Sequence, residues 1–264
     1  MNIVVCVKAV PDMESRFKIK SDHSHIDDEG LIYKMNSFDE CAVEEALKIK
    51  EKHGGEVLIL SLGDEKTKQV MRKAFAMGAE RGVLLNDSAF SDSHAVTVAK
   101  LFKAALVSFK PDLVLTGIQA EDDQQAQVGP ALAESLGLAH VTVATKIEVS
   151  QDLKNVTVYR ELEGGSIEVV ELDLPALITI QTGINIPRYP SLPGIMKAKK
   201  KEIKELKLAD VGLAQNAVGA AASPIKRVGL FEPQARGHAE MIQGTPTDIA
   251  SKLITKLKER KVFN

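Results

Sequence analysis

The chain opens with the run Asn2-Ile3-Val4-Val5-Cys6-Val7, which is apolar almost throughout. Three later runs share that character, and they are Val57–Leu62, Gly82–Leu85 and Leu113–Thr116. Short runs without polar alternation are typical of parallel strands that helices cover on both faces. They predict the central strands of a parallel sheet.

Amphipathic stretches separate these runs. The first repeats apolar residues at a spacing of three to four, as on one face of a helix. Those residues are Phe38, Cys41, Ala42, Ala46 and Ile49. Lys66–Met77 fits a second helix, and the residues from Ala95 to Phe109 fit a third. The alternation predicts an α/β fold with a mostly parallel, doubly wound, Rossmann-like sheet.

The second half of the chain has a different pattern. Val141–Val149, Val156–Glu161 and Ile167–Leu172 alternate apolar with polar residues, which predicts added antiparallel strands with one solvated face. Pro175–Gln181 is apolar enough for a further buried strand. A proline-rich stretch and the basic run Lys197–Lys201 follow.

These changes suggest three regions. Residues 1–186 are expected to form the α/β domain, 187–208 a proline-rich loop with a basic segment, and 209–264 an extended C-terminal arm. Within the arm, Ala209–Ala222 has little pattern and is predicted to be a linker. A capped helix is predicted from Thr245-Pro246-Thr247-Asp248. A helix beyond a linker needs a surface to pack on, and another subunit would supply one.

Composition excludes several classes of protein. The 34 Lys and Arg residues nearly balance the 36 Asp and Glu residues, and aromatic residues make up 4% of the chain. Neither feature is typical of a nucleic-acid binder. Cys6 and Cys41 match no disulfide or zinc pattern, and no stretch of about 18 apolar residues predicts membrane insertion. The chain is expected to be cytoplasmic.

Catalytic motifs are missing from the sequence. The six histidines are scattered, and no HExxH, GxSxG or CxxC pattern is present. We therefore predict neither catalytic residues nor a metal site. Lys8 and Lys197–Lys201 are the notable cations, and the latter run suits either a solvated edge or a docking surface for an acidic partner.

Ligands of open α/β sheets bind beyond the carboxyl ends of the strands. Gly63 and Gly117 follow two predicted strands and would let the backbone approach a ligand. Asn36 precedes a predicted helix and suits either an anion site or a simple helix cap. A further helix is predicted over Gln124–Leu136, with Asp123 as its cap. No phosphate-loop or dinucleotide fingerprint is present, so nucleotide binding and ordinary loop chemistry both remain open at this point.

Specific stretches resemble the β subunit of electron-transfer flavoproteins over nearly the whole chain. They are Val5–Asp12, Met35–Asp39 with Ala42–Ala46, Ala76–Gly82, Gly117–Ala120 running to Gln127–Gly129, and Pro187–Tyr189 running to Met196–Lys199. The resemblance implies a heterodimer with an α subunit that carries FAD. It also implies AMP in this subunit, or a second FAD in the electron-bifurcating branch.

The resemblance implies a nucleotide pocket at matching motif positions. Its residues would be Cys6, Asn36, Ser37, Phe38, Asp39, Leu62, Gly117, Gln119, Ala120, Asp123, Gln124, Gln125, Ala126, Gln127 and Val128, beside Gly63 from the strand-end argument. It further implies a recognition loop in which Leu192, flanked by Pro190 and Pro193, anchors in a dehydrogenase. Electrons would pass from acyl-CoA dehydrogenase-type donors to a quinone-linked oxidoreductase.

Two departures bear on the nucleotide. Ser37 stands where the family usually has proline, and Asp122-Asp123-Gln124-Gln125 replaces the Asp-Gly-Asp-Thr of the bifurcating branch. The missing glycine favours AMP, whereas Ala126–Pro130 and the long tail resemble the bifurcating branch, which would oxidise NADH. A stand-alone nucleotide-binding module is the third hypothesis.

Overall fold

The computed structural model describes residues 1–234, 237 and 239–262. The strands are β1 Asn2–Cys6, β2 Ala9–Pro11, β3 Tyr33–Met35, β4 Glu56–Leu62, β5 Arg81–Leu85, β6 Leu113–Gly117, β7 Ala139–Val149, β8 Asn155–Glu161, β9 Ile167–Asp173, β10 Ala176–Ile180 and β11 Ile203–Leu206. The helices are α1 Ser37–His53, α2 Glu65–Met77, α3 Ala95–Leu106, α4 Val128–Leu136, α5 Leu192–Lys200, α6 Leu208–Val211 and α7 Pro246–Glu259.

Nine strands form one sheet in the order β11-β5-β4-β1-β6-β10-β7-β8-β9. The strands from β11 to β7 pair in parallel, and β8 and β9 continue the sheet with antiparallel pairing. A separate antiparallel ribbon joins β2 to β3. The predicted α/β class and mostly parallel sheet are confirmed. The antiparallel strands extend this sheet instead of forming a second one.

Two hydrophobic cores cover the two faces of the sheet. Ile3 and Val5 of β1 pack with α1 and α2, whereas Val4 and Cys6 of the same strand pack with α3 and α4. Successive side chains of a strand point to opposite faces, so a strand buried on both faces must be apolar throughout. This explains the unbroken apolar run at the start of the chain.

Residues 187–208 pack as part of the α/β body. They contain α5 and β11, where a loop with a basic segment was expected. β11 pairs with β5 at the edge of the main sheet, and Ala198 of α5 is buried. The basic run therefore lies on and just after a helix that is packed against the body.

The predicted linker over Ala209–Ala222 is also ordered. Val211 and Val218 are buried in the core that contains α3 and α4. Two buried valines are too few to produce a visible periodicity, although they fix this segment to the body. The rest of the predicted arm includes Ala235, Arg236, His238, Phe263 and Asn264, which lie outside the described residues.

Helix α7 begins as predicted. The Thr245 side chain accepts a hydrogen bond from the backbone N–H of Asp248, and the Asp248 carboxylate accepts in return from the N–H of Thr245. This reciprocal capping box stabilises the first turn. None of the residues of α7 is buried, so its apolar face is left without a partner within the described part of the chain.

Candidate functional site

A crevice of about 1740 Å³ lies beyond the carboxyl ends of β1, β4, β5 and β6. All predicted pocket residues except Ser37, Phe38 and Gln124 line it. Those that do so are Cys6, Asn36, Asp39, Leu62, Gly63, Gly117, Gln119, Ala120, Asp123, Gln125, Ala126, Gln127 and Val128. Gly63 and Gly117, which the strand-end rule singled out, therefore line the same crevice as the residues that the resemblance implied, and ligand binding by them stays a prediction.

Asp39 joins two loops of the crevice to α1. Its carboxylate is buried in the first turn of α1 and accepts hydrogen bonds from the N–H of Lys8, at 2.8 Å, and of Gly117, at 3.0 Å. These groups follow β1 and end β6. Burial raises the pKa of Asp39 to about 7, against the lowering effect of both N–H groups. One side chain thus holds two loops of the site to one helix.

Asn36 fastens the next part of the β6 loop. It occupies the N-cap position of α1, but its side chain does not cap the helix. Its Nδ2 donates to the Gln119 carbonyl at 2.8 Å, and its Oδ1 accepts from the N–H of Glu121 at 3.1 Å. The amide therefore positions the loop that leads to α4, and the simple helix-cap interpretation is wrong for this side chain.

Ser37 and Phe38 lie in the first turn of α1 and do not line the crevice. The Ser37 hydroxyl donates to the Glu121 carboxylate at 2.5 Å, which adds a third contact between α1 and the β6 loop. A Cβ on Gly117 would lie 2.7 Å from Cβ of Phe38 and 2.4 Å from Oδ1 of Asp39. Glycine is therefore required at 117 for α1 to approach β6 this closely.

Helix α4 begins at Val128, four residues later than predicted. Gln124 and Ala126 have φ angles of 50° and 54°, which interrupt a helix. Asp123 consequently does not cap α4. Its carboxylate accepts from the N–H of Gln125 at 3.2 Å within the preceding turn. The N-terminus of α4 lies at the crevice, where its unpaired N–H groups favour an anion.

Lys8 neutralises the acidic run beside α4. Its ammonium group lies 2.7 Å from Asp122 and 2.9 Å from Asp123. Burial lowers the pKa of Lys8, but its hydrogen bonds to the two carboxylates outweigh this and raise the pKa. The paired carboxylates add less negative potential than the sequence alone suggests.

The crevice carries little nucleophilic chemistry. Burial raises the pKa of the Cys6 thiol, and nearby Asp39 raises it further. Cys6 is therefore a protonated thiol at neutral pH. Both cysteines are free and buried. Within residues 1–234, 237 and 239–262, no group of three or more His, Cys, Asp or Glu side chains is placed to hold a metal ion.

Sequence reasoning missed two parts of the wall. One follows β5 and includes Asn86, Asp87 and His94. The strand-end rule should have found it, because β5 lies beside β4 in the same parallel sheet. The other is the tail between Ser223 and Leu230, for which no local pattern gave a signal.

The predicted docking residues lie elsewhere. Ser191 caps α5 by accepting from the N–H of Gly194, so Leu192 is the first residue of the helix and Pro193 the second. The Leu192 side chain is 79% exposed. None of Pro190, Leu192 and Pro193 lines the crevice. Docking and ligand binding would therefore use separate surfaces.

The fold and the crevice define a doubly wound α/β protein with a candidate ligand site at its strand ends. The model of the electron transfer flavoprotein domain matches residues 24–211. The electron transfer flavoprotein subunit beta of Methylophilus methylotrophus is 37% identical over 263 residues, which cover 99% of each chain. That of Bacillus subtilis is 36% identical over 265 residues and covers both chains in full.

A third relative is the caffeyl-CoA reductase–Etf complex subunit CarD of Acetobacterium woodii. It is 37% identical over 266 residues and also covers both chains in full. The chain therefore belongs to the electron transfer flavoprotein family, as a β subunit. None of the helices in the described part of the chain is both long enough and apolar enough to cross a membrane.

Proposed function

We propose that this β subunit pairs with an FAD-carrying α subunit and holds AMP in its crevice as a structural ligand. In that complex it would help to pass electrons from acyl-CoA dehydrogenase-type donors to a quinone-linked oxidoreductase. The observation that carries the proposal is the crevice at the strand ends, where Asp39 and Asn36 fix the loops that follow β1 and β6.

The residues present fit an adenine nucleotide. Gln127, Val128 and Gly129 bring the N-terminus of α4 to the crevice, where backbone N–H groups suit a phosphate. A Cβ on Gly129 would lie 2.6 Å from Thr179, so glycine lets α4 sit close against β10. Leu62, Ala120 and Val128 supply apolar surface for a base. A bound nucleotide would stabilise the folded state because it binds only that state.

The chain itself would act as a scaffold. The FAD of the partner subunit would supply the redox chemistry. The chain's own part is to shape the crevice and present surfaces for association. A protonated Cys6 and a structural Asp39 match the absence of a catalytic role in the proposal.

Helix α7 is the proposed contact with the α subunit. Leu253 and Ile254 are each close to half exposed, and no residue of the helix is buried by the described part of the chain. An amphipathic helix gains stability mainly by covering its apolar face. This feature disfavours the stand-alone nucleotide-binding module.

The start of α5 is the proposed docking site for the donor. Ile186, Tyr189, Leu192 and Met196 expose large apolar side chains within eleven residues of sequence. Lys197, Lys199 and Lys200 adjoin them. An apolar anchor beside a basic surface suits a partner with an apolar pocket and an acidic rim.

Leu192→Ala is expected to slow electron transfer from an acyl-CoA dehydrogenase to the α/β complex and to leave its nucleotide content unchanged. Loss of a leucine that becomes buried on docking should weaken association by about 1–3 kcal/mol. Stopped-flow reduction of the flavin at varied dehydrogenase concentration measures this effect. Val107→Ala is the control. Val107 is also an exposed apolar residue, but it lies at the C-terminal end of α3 and outside the segment before and within α5. Equal rates for wild type and Leu192→Ala would remove Leu192 from the anchor role.

A second FAD in the crevice is the alternative, and one observation favours it. The crevice volume, about 1740 Å³, exceeds the roughly 300–1,000 Å³ of ordinary small-ligand pockets. A dinucleotide would therefore fit, although Asp123 stands where the bifurcating branch has glycine. The similarity to CarD, a subunit of a caffeyl-CoA reductase–Etf complex, is compatible with this alternative.

Anaerobic addition of NADH to the purified α/β complex separates the two functions. A simple carrier with AMP in the crevice should keep its flavin absorbance. Rapid bleaching by NADH would contradict the proposed function and support the alternative with two flavins.

A further inference from the structure

The C-terminal tail forms one wall of the crevice. Its residues Ser223, Ile225, Lys226, Arg227, Val228, Gly229 and Leu230 all line the space beyond the strand ends. We call residues 223–230 the strap. The strap brings two cationic side chains, Lys226 and Arg227, to the wall of the crevice.

The strap is anchored at its beginning. Val218 is buried, and the N–H of Gly219 donates to the Ser93 hydroxyl at 3.1 Å. A Cβ on Gly219, whose φ is 63°, would lie 2.3 Å from the Ala89 carbonyl. The chain therefore lies tightly against the segment after β5 just before the strap starts.

The end of the strap is joined to a surface hairpin that is inserted between β2 and β3. The Leu230 N–H donates to the His23 carbonyl at 2.8 Å, and Nδ1 of His23 donates to the Leu230 carbonyl at 3.0 Å. The His23 and Phe231 rings stack with centroids 5.1 Å apart. Both halves of this junction are exposed to solvent.

Arg227 holds the middle of the strap. Its guanidinium donates to the Ser24 carbonyl at 3.2 Å and lies 3.8 Å from the Asp92 carboxylate. Asp92 also lies 3.1 Å from Nε2 of His25. One arginine therefore connects the strap both to the hairpin and to the segment after β5.

Within the described part of the chain, neither hydrophobic core includes a residue of the strap. Val228 is 98% exposed, and Ile225 is also largely exposed. Polar contacts that water can replace contribute little to stability, and segments held by them open at low free-energy cost. The strap is thus far easier to displace than the strands and helices that form the other walls.

We propose that the strap is a movable wall which opens to admit the nucleotide and closes over it, so that nucleotide release is limited by strap opening. This rests on the proposed function. The anchored start at Gly219 is the hinge, and the contacts of Arg227, Leu230 and Phe231 form the latch. Lys226 and Arg227 then add positive potential at the open side of the crevice, which suits a phosphate-bearing ligand.

The test measures release of radiolabelled AMP from the α/β complex during a chase with unlabelled AMP. Arg227→Met and Phe231→Ala each remove one part of the latch without touching the core. Each should speed release about fivefold, the effect of losing one modest contact. The double variant should speed it roughly 25-fold if the two parts act independently. If the wild-type complex holds FAD, the same chase is followed with FAD.

Lys154→Met is the matched control. Lys154 pairs with Asp152 at 3.7 Å in the turn between β7 and β8, and neither residue lines the crevice. Its release rate should equal that of the wild type. Unchanged release from both latch variants, with nucleotide still bound, would contradict the proposal that strap opening limits release. The proposed function would still stand.

Hydrogen exchange at the Leu230 amide gives a second measurement. In a nucleotide-stripped complex this exchange should slow when AMP is added, because closure keeps the Leu230 N–H hydrogen-bonded to the His23 carbonyl. Equal exchange with and without bound AMP would contradict closure over the ligand. Failure of the wild-type complex to bind any adenine nucleotide would instead remove the proposed function, and the strap with it.

Discussion

Asp39→Ala is expected to abolish tight nucleotide binding and to lower the free energy of unfolding by about 2–4 kcal/mol at pH 5. The substitution leaves the N–H groups of Lys8 and Gly117 without their acceptor, and a buried unpaired donor costs about 1–3 kcal/mol. The two loops of the crevice would also lose their shared attachment to α1. Nucleotide content of the purified complex and urea unfolding measure the two effects.

Glu40→Ala is the matched control for Asp39. Glu40 is the next residue of α1, and its carboxylate pairs with Lys73 at 2.7 Å near the surface. An ion pair of this kind contributes about 0–1 kcal/mol. Similar losses of stability and nucleotide from both variants would show that Asp39 has no special role in the site.

The effect of Asp39 should depend on pH. Because its pKa is raised to about 7 in the folded state, the unfolded chain ionises this carboxyl first as pH rises. Its contribution to stability is fully present below about pH 4 and falls by roughly 2–4 kcal/mol between pH 4 and pH 7. The difference in unfolding free energy between wild type and Asp39→Ala should therefore shrink from pH 5 to pH 8. A difference that grows over this range would contradict the assignment.

Arg188→Met is expected to lower the free energy of unfolding by about 2–4 kcal/mol at pH 7. Arg188 binds Glu44 through Nε at 2.9 Å and through a second guanidinium nitrogen at 3.1 Å. The Glu44 side chain is only 4% exposed. Removing one partner of a buried ion pair leaves an uncompensated charge, and this costs more than an exposed pair contributes.

Two further variants separate the buried pair from the surface charge. Glu51→Gln removes the exposed partner of Arg188 and should cost less than about 1 kcal/mol. The double variant Glu44→Gln with Arg188→Met removes the buried charge and should recover much of the stability. A loss from Arg188→Met no larger than that from Glu51→Gln would contradict this explanation.

Arg188 also connects stability to docking. Asn185 donates to the Cys41 carbonyl and to the Glu45 carboxylate, so two residues tie the segment before α5 to α1. Hydrogen bonds to the Glu51 and Glu44 carboxylates raise the pKa of Arg188, which is therefore charged at every relevant pH. Loosening this segment should disorder the start of α5, where Leu192 is displayed, and Arg188→Met should accordingly slow electron transfer as well.

The core of the fold was predictable because its strands are buried on both faces. Burial makes β1, β4 and β6 apolar almost throughout, and their bounds were predicted to within one residue. The order of strands was not predictable, since β10 inserts between β6 and β7 through pairing that leaves no local pattern. The edge strand β11 was missed because its short sequence, Ile-Lys-Glu-Leu, has only two apolar residues.

The candidate site was predictable where it follows strands and not where the tail completes it. Gly63, Gly117 and Asn36 stand at ends of elements that periodicity had already identified. The bonds between His23 and Leu230 join residues that are 207 positions apart, and no spacing in the sequence indicates them. The late start of α4 was missed for a different reason, since the positive φ angles at Gln124 and Ala126 belong to residue types that seldom adopt them.

Nucleotide extracted from the denatured α/β complex tests the central claim most directly. The strand-end crevice should release AMP in an amount equal to the FAD of the partner subunit. Two FAD per complex without AMP would support the alternative, in which the crevice holds a second FAD. A purified complex that releases no adenine nucleotide beyond the partner's FAD would contradict the account.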